Sequence, residues 1–191
     1  MRTMKSNIKQ KASSVDCFSY EWKQYTGTAE DEDLLYKTKT TPEFFKDKII
    51  LDAGCGNGRL TRLSAEYGAK HVIGVDLSES VLTARENTRH LQNVSIIRAS
   101  IYDLPFKENI FDFIFSIGVL HHTPNPKQAF FSLLHVVKQG GTVAVWVYGP
   151  YHSIHRFVIN TLRKITTRIP YELLYKLCWL QKPLGGVCKY A

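Results

Sequence analysis

The sequence predicts an α/β domain with a doubly wound, mostly parallel sheet and helices on both faces. Three observations predict it. Apolar runs of strand length alternate with stretches of helical period between residues 49 and 149. Those runs are near-continuous rather than alternating, the pattern of strands buried on both faces. The first of them ends in a glycine-rich turn that opens a helix. With 191 residues, 44% of them hydrophobic and 22% charged, the chain has the makeup of an ordinary globular protein and the length to bury a sizeable core.

The elements follow in order. KIILDAGC reads as a strand, and NGRLTRLSAEYG as a helix with Leu60, Leu63 and Tyr67 at helical spacing and Gly68 as its stop. HVIGVDL (71–77) is a second strand, followed by a helix capped by Ser78 and running to about His90. NVSIIRAS (93–100) and IFDFIFSIGV (110–119) are the third and fourth strands. Asn125 caps a helix over 126–138 with Pro126 in its first turn, and Gly140-Gly141 is expected to end it. TVAVWVYG (142–149) is the fifth strand.

Three segments result. Residues 1–48, with the aromatic cluster FSYEWKQY, are expected to form a helical or aromatic cap, and residues 49–149 the α/β domain. Residues 150–191 read as a basic amphipathic tail, helical over 151–167 and 170–181. Two readings of the tail stay open: cover for a sheet edge, or a substrate lid or membrane-surface element.

The net charge of +8 is concentrated. Residues 150–191 hold seven Lys/Arg against one Asp/Glu, whereas residues 49–149 hold nine against eight. The folded body is therefore nearly neutral, which disfavours nucleic acid as a partner. Four cysteines lie far apart without a CxxC pair, so neither a zinc site nor a disulfide scaffold is expected, and a cytoplasmic setting fits. The N-terminus lacks the apolar run of an export signal, and no window approaches the roughly 18 apolar residues of a membrane span.

The most specific signal is IILDAGCGNGR, a strand leading into Gly54-x-Gly56-x-Gly58. Glycines there permit a tight turn and close approach of a ligand, and free N–H groups at the helix start are expected to face it. Eighteen residues past Gly58, at the end of the second strand, Asp76 is placed to accept hydrogen bonds from two ribose hydroxyls. Its plainer reading is a favourable charge near a helix start. A dinucleotide fingerprint would carry a third glycine where Arg59 stands, and Asp52 would face a pyrophosphate with negative charge. A ligand with a cationic end suits the loop better.

Four blocks, ILDAGCGNGR, VIGVDLSES, SIYDLPF and FDFIFSIGVLHHTPNP, followed by the KQGGTVAVWVYG strand, span about half the chain. In order and spacing they resemble the class I S-adenosylmethionine-dependent methyltransferases, in the group that includes the ubiquinone and menaquinone C-methyltransferases. The resemblance implies a Rossmann-like methyltransferase fold and S-adenosylmethionine as cofactor. It implies that Gly54, Cys55, Gly56 and Asn57 line the methionine end, with Asp52 near its ammonium. Asp76 would hold the ribose, Leu77 would pack near the adenine, and Ser116 would close the pocket floor. Family members usually have an acid four residues before the leucine of the LPF block; here it is Ser100, so Ser100 and Ile101 are expected at the adenine, with Asp103 as a substitute acid. The sixth and seventh strands that end the family fold are not legible in residues 150–191, so the sheet is expected to lack that pair.

Methyl transfer needs alignment above all, and for a hydroxyl or acidic carbon acceptor also a base. His121 and His122 follow the fourth strand at the sheet edge where α/β ligands bind. They read either as base candidates or as loop residues that shape a helix entry. Tyr20, Trp22 and Tyr25 read either as an enclosure for a small or lipid-like acceptor or as packing of the N-terminal segment against the sheet, and the tail aromatics with their basic neighbours suit an apolar or anionic acceptor. Two other readings stay open, a cofactor-binding protein without turnover and a nicotinamide-dependent oxidoreductase.

Overall fold

The computed structural model describes residues 31–149; the N-terminal aromatic cluster and the tail helices of the sequence reading lie outside the described residues. The chain divides into two compact units, Met1–Tyr148 and Gly149–Ala191. Residues 31–148 belong to the first.

Helix α1 (Asp31–Thr38) and a 3-10 turn (Pro42–Phe45) precede the sheet. Then come β1 (Ile49–Ala53), α2 (Arg59–Glu66), β2 (His71–Asp76), α3 (Ser80–Thr88), β3 (Val94–Arg98) and β4 (Phe111–Ile117). A short 3-10 turn (Leu120–His122) leads into α4 (Pro126–Val136) and β5 (Val137–Trp146). The five strands lie in the order β3-β2-β1-β4-β5, and every pair is parallel. The chain leaves β1 toward β2 on one side and returns to β4 on the other, so the carboxyl ends of β1 and β4 flank the switch point where open α/β sheets bind ligands.

β1 is buried continuously from Ile50 to Ala53, and because successive side chains point to opposite faces, both faces are covered. Ile50 belongs to a cluster with Leu34 of α1, Phe45, Leu63 of α2, Phe113 and Phe115. Leu51 belongs to the opposite cluster, with Val75, Ile114, and Ala129 and Leu133 of α4. Phe113 meets Phe44 edge-on at 5.0 Å between ring centroids and Phe45 at 5.7 Å, which ties residues preceding β1 to the middle of the sheet.

Asn125 caps α4 as expected, its Oδ1 accepting from the Gln128 N–H at 3.1 Å. The expected Ser78 cap is displaced: Glu79 holds the N-cap position of α3 without a side-chain cap bond, and Ser78, one residue earlier, accepts from the Ser80 N–H at 3.2 Å through its Oγ. Gly68 follows α2 with φ +85°. One boundary differs from expectation: α4 stops at Val136, and β5 begins at once rather than after Gly140-Gly141. Val137 already pairs with Phe111, and the next pair is Phe113 with Thr142, so β5 spends five residues where β4 spends two. The glycines lie in this bulge, where Gly140 adopts φ +76° and a Cβ on Gly141 would come within 2.8 Å of Val137 Cγ2.

Candidate functional site

A cleft of about 460 Å³ opens at the carboxyl edge of the sheet, within the range of small-molecule and cofactor sites. Asp52, Gly54, Cys55, Gly56, Asn57, Asp76, Leu77, Ser100 and Ile101 all line it, joined by Val119, His122, Trp146 and Tyr148. Strand ends supply them because β1, β2, β3 and β4 all terminate here in parallel.

Asp76 connects two loops. Its Oδ2 accepts from the Gly56 N–H at 2.9 Å and its Oδ1 from the Ser78 N–H at 2.8 Å. Each carboxylate oxygen keeps further acceptor capacity for hydroxyl donors in the cleft. The glycine turn corrects one expectation, that of free N–H groups facing a ligand. Gly54 and Cys55 both donate to the Val75 carbonyl, Gly58 to the Cys55 carbonyl, and Arg59 to Asn57 Oδ1 at 3.2 Å. With Gly56 committed to Asp76, five of the six N–H groups from Gly54 to Arg59 are bonded within the protein, and Asp52 and Asp76 make the cleft beside the turn acidic.

Asp52 is buried in the cleft wall, and Thr61 donates its hydroxyl to Asp52 Oδ2 at 2.6 Å. Burial pushes the Asp52 carboxyl up to about 7; Thr61 opposes the shift, Asp76 adds to it, and Arg59 opposes it. Burial likewise pushes the Cys55 thiol up, reinforced by Asp52 and Asp76, so Cys55 is a neutral packing group rather than a nucleophile.

The Asp52 shift has a stability consequence. A carboxyl raised in the folded state stabilises fully below its unfolded value near 3.9, and that contribution is lost as pH rises through about 7. We therefore expect the melting temperature of the ligand-free protein to fall between pH 5 and pH 8, and Asp52→Asn to flatten the fall, by melts across that range. Equal slopes in both proteins would contradict the assignment.

Other expected residues sit differently. Ser116 is fully buried and donates to the Ala53 carbonyl at 2.8 Å, tying β4 to β1; Ile117, Gly118 and Val119 line that side of the cleft instead. Ser100 Oγ accepts from the Tyr102 N–H at 3.2 Å, while Asp103 is exposed and lies outside the lining. His122 lines the cleft but His121 does not; their ring centroids are 4.0 Å apart, and Tyr148 meets His121 edge-on at 4.7 Å. Among the described residues no His, Cys, Asp and Glu group is arranged to hold a metal, and no helix is long and apolar enough to cross a membrane.

Sequence reasoning missed a charged group at the rim. Lys37 of α1 and Arg59 both line the cleft and both pair with Asp33, at 2.8 and 3.1 Å. Burial works against the Asp33 carboxylate, but Lys37 and Arg59 hold it below the ordinary range. The i,i+4 spacing of Asp33 and Lys37 is the one local signal; nothing local announces Arg59.

The donor set fits S-adenosylmethionine: an acceptor-only carboxylate for ribose hydroxyls, a buried acid for an ammonium, two cations for a carboxylate, and apolar Leu77, Ile101 and Val119 for a base. Sheet order and cleft together define a doubly wound α/β domain with an acid-lined ligand site at its switch point. Residues 51–145 match the family model described as a methyltransferase domain. The chain belongs to the class I S-adenosylmethionine-dependent methyltransferase family, whose cofactor is S-adenosylmethionine.

Among relatives, it is 35% identical over 104 residues to a tRNA U34 carboxymethyltransferase of Cellvibrio japonicus, covering 52% of this chain and 32% of that one. It is 29% identical over 137 residues to phosphoethanolamine N-methyltransferase 2 of Caenorhabditis elegans, covering 69% and 31%. The chain thus spans about a third of the length of these curated relatives. A solved S-adenosylmethionine-dependent methyltransferase from Mesorhizobium loti superposes with TM-score 0.54 and 25% identity, covering 61% of this chain and 52% of that one.

Proposed function

We propose that this chain is an S-adenosylmethionine-dependent methyltransferase moving a methyl group to a small-molecule or lipid-like acceptor in the cytoplasm. The observation that carries the reading is the acidic setting of the glycine turn: Asp76 occupies the Gly56 N–H, and Asp52 lines the same cleft. A pyrophosphate would meet two carboxylates there, whereas a cofactor with a cationic amino-acid end is attracted. This disfavours the nicotinamide reading.

When bound, the cofactor would supply a sulfonium methyl as the electrophile. In this reading Asp76 would accept from the ribose hydroxyls, while Leu77, Ser100 and Ile101 would meet the adenine. Asp52 would hold the ammonium against the turn Gly54, Cys55, Gly56 and Asn57, and Lys37 and Arg59, both already paired with Asp33, would turn their remaining donors to the carboxylate. Transfer is an in-line displacement, so the protein's main task is alignment. His122, the cleft-lining member of its pair, is the better base candidate, with His121 supporting its ring. An RNA acceptor is the second reading, favoured by the tRNA-modifying relatives.

Calorimetric titration with S-adenosylmethionine, S-adenosylhomocysteine and NAD tests the cofactor. Adenosyl ligand at a hundred times its dissociation constant should stabilise the fold by about 2.7 kcal/mol, with NAD inert. Preference for NAD, or no adenosyl binding by a cooperatively melting chain, would overturn the reading. With an acceptor found by screening small molecules, lipids and tRNA, His122→Ala should cut turnover while leaving cofactor affinity intact; an unchanged rate removes the base role.

A further inference from the structure

We propose that Thr61 is a positioning residue of the cofactor site, fixing the Asp52 carboxylate so that it meets the cofactor's ammonium as an anion. The inference rests on the methyltransferase reading. Thr61 and Asp52 are nine residues apart in sequence and meet only because α2 packs back over the end of β1. Both are buried, Thr61 fully, and the Thr61 hydroxyl and backbone N–H both face the carboxylate.

Space for this contact is built into the sheet. Asp52 pairs with Gly74 across β1 and β2, and a Cβ on Gly74 would come within 3.0 Å of Thr61 Oγ1 and 2.8 Å of Ile96 Cδ1. Any side chain there would press on the hydroxyl that holds Asp52.

The charges around Asp52 make the hydroxyl decisive. Asp76 at the end of β2 opposes ionisation and Arg59 of α2 favours it. Cys55 on the turn is a neutral thiol, and Lys37 of α1 is tied to Asp33 at the rim. On the β4 side the residue paired with Asp52 is Phe115, which supplies no charge. Thr61, 2.6 Å from Asp52 Oδ2, is thus the uncharged donor that favours the ionised form against burial and Asp76, and a cationic ligand requires that form.

The test uses the full chain. Affinity for S-adenosylmethionine is measured by calorimetry from pH 6 to 8.5, and the Asp52 carboxyl is titrated by carbon-13 NMR without cofactor, in wild type, Thr61→Val and Thr61→Ser. Thr61→Val is expected to weaken binding about tenfold at pH 7, the scale of one hydrogen bond to a charged group. It should also move the carboxyl titration and the affinity profile to higher pH, and Thr61→Ser should restore both. Wild-type affinity with an unmoved titration in Thr61→Val overturns the proposal. Should Thr61→Val not fold, Thr61→Ala is read by the same two measurements. Absence of binding by wild type at every pH would overturn the methyltransferase reading, and the carboxyl titration would still decide whether Thr61 governs Asp52.

Discussion

Asp76→Ala is expected to weaken S-adenosylmethionine binding by about 1.5–3 kcal/mol, roughly 10- to 150-fold, because hydrogen bonds to a charged group are of that size. The carboxylate has two duties. It holds the Gly56 and Ser78 N–H groups, one from each loop flanking the cleft, and presents its remaining lone pairs to the ligand. Alanine removes both, so the loops lose their common anchor while the ribose loses its acceptor. Asp76→Asn keeps one acceptor oxygen and should fall between wild type and alanine. Calorimetry with a parallel thermal melt separates the effects: cooperative melting with lost affinity supports the ribose role, and unchanged affinity removes it.

Gly54→Ala is expected to cost about 2–5 kcal/mol of folding stability, read as a lower urea midpoint at unchanged slope. Gly54 has φ +94°, where a Cβ is strained, and that Cβ would lie 2.3 Å from Val119 Cγ2 and 2.6 Å from Val119 Cγ1. Val119 itself lines the cleft, so relief by movement would narrow the site. Combining Gly54→Ala with Val119→Ala should recover some of the packing part, since the remaining Val119 Cβ would still lie 2.9 Å away, and none of the backbone part, a non-additivity expected of touching residues. If Gly54→Ala alone unfolds like wild type, the close approach of the glycine turn to the β4 loop is wrong.

Much of this was legible locally. All five strands contain the apolar run that announced them, Gly68 follows α2 and Asn125 caps α4, so element order followed from the chain itself, whereas the early start of β5 did not. Asp76 was legible because it ends a strand at a fixed distance from a glycine turn. Asp33, Lys37 and Arg59 were not, since 26 residues separate Asp33 from Arg59 and only packing of α1 against α2 joins them. Ser116 shows the same limit: the strand pattern put it at the right end of β4, yet pleat and register turned its hydroxyl to Ala53 rather than into the cleft.

By itself the sequence determined the α/β class, the parallel strands and the acid-flanked glycine turn, because hydrophobic period and backbone freedom act over a few residues. Only the tertiary structure decided that the Gly54, Cys55, Gly56, Gly58 and Arg59 N–H groups are already used, that His122 rather than His121 lines the cleft, and that Thr61 holds Asp52. Those outcomes depend on sheet register and on how each helix packs back over its strand. Hydrogen bonds of that kind link residues distant in sequence, and no local pattern encodes them.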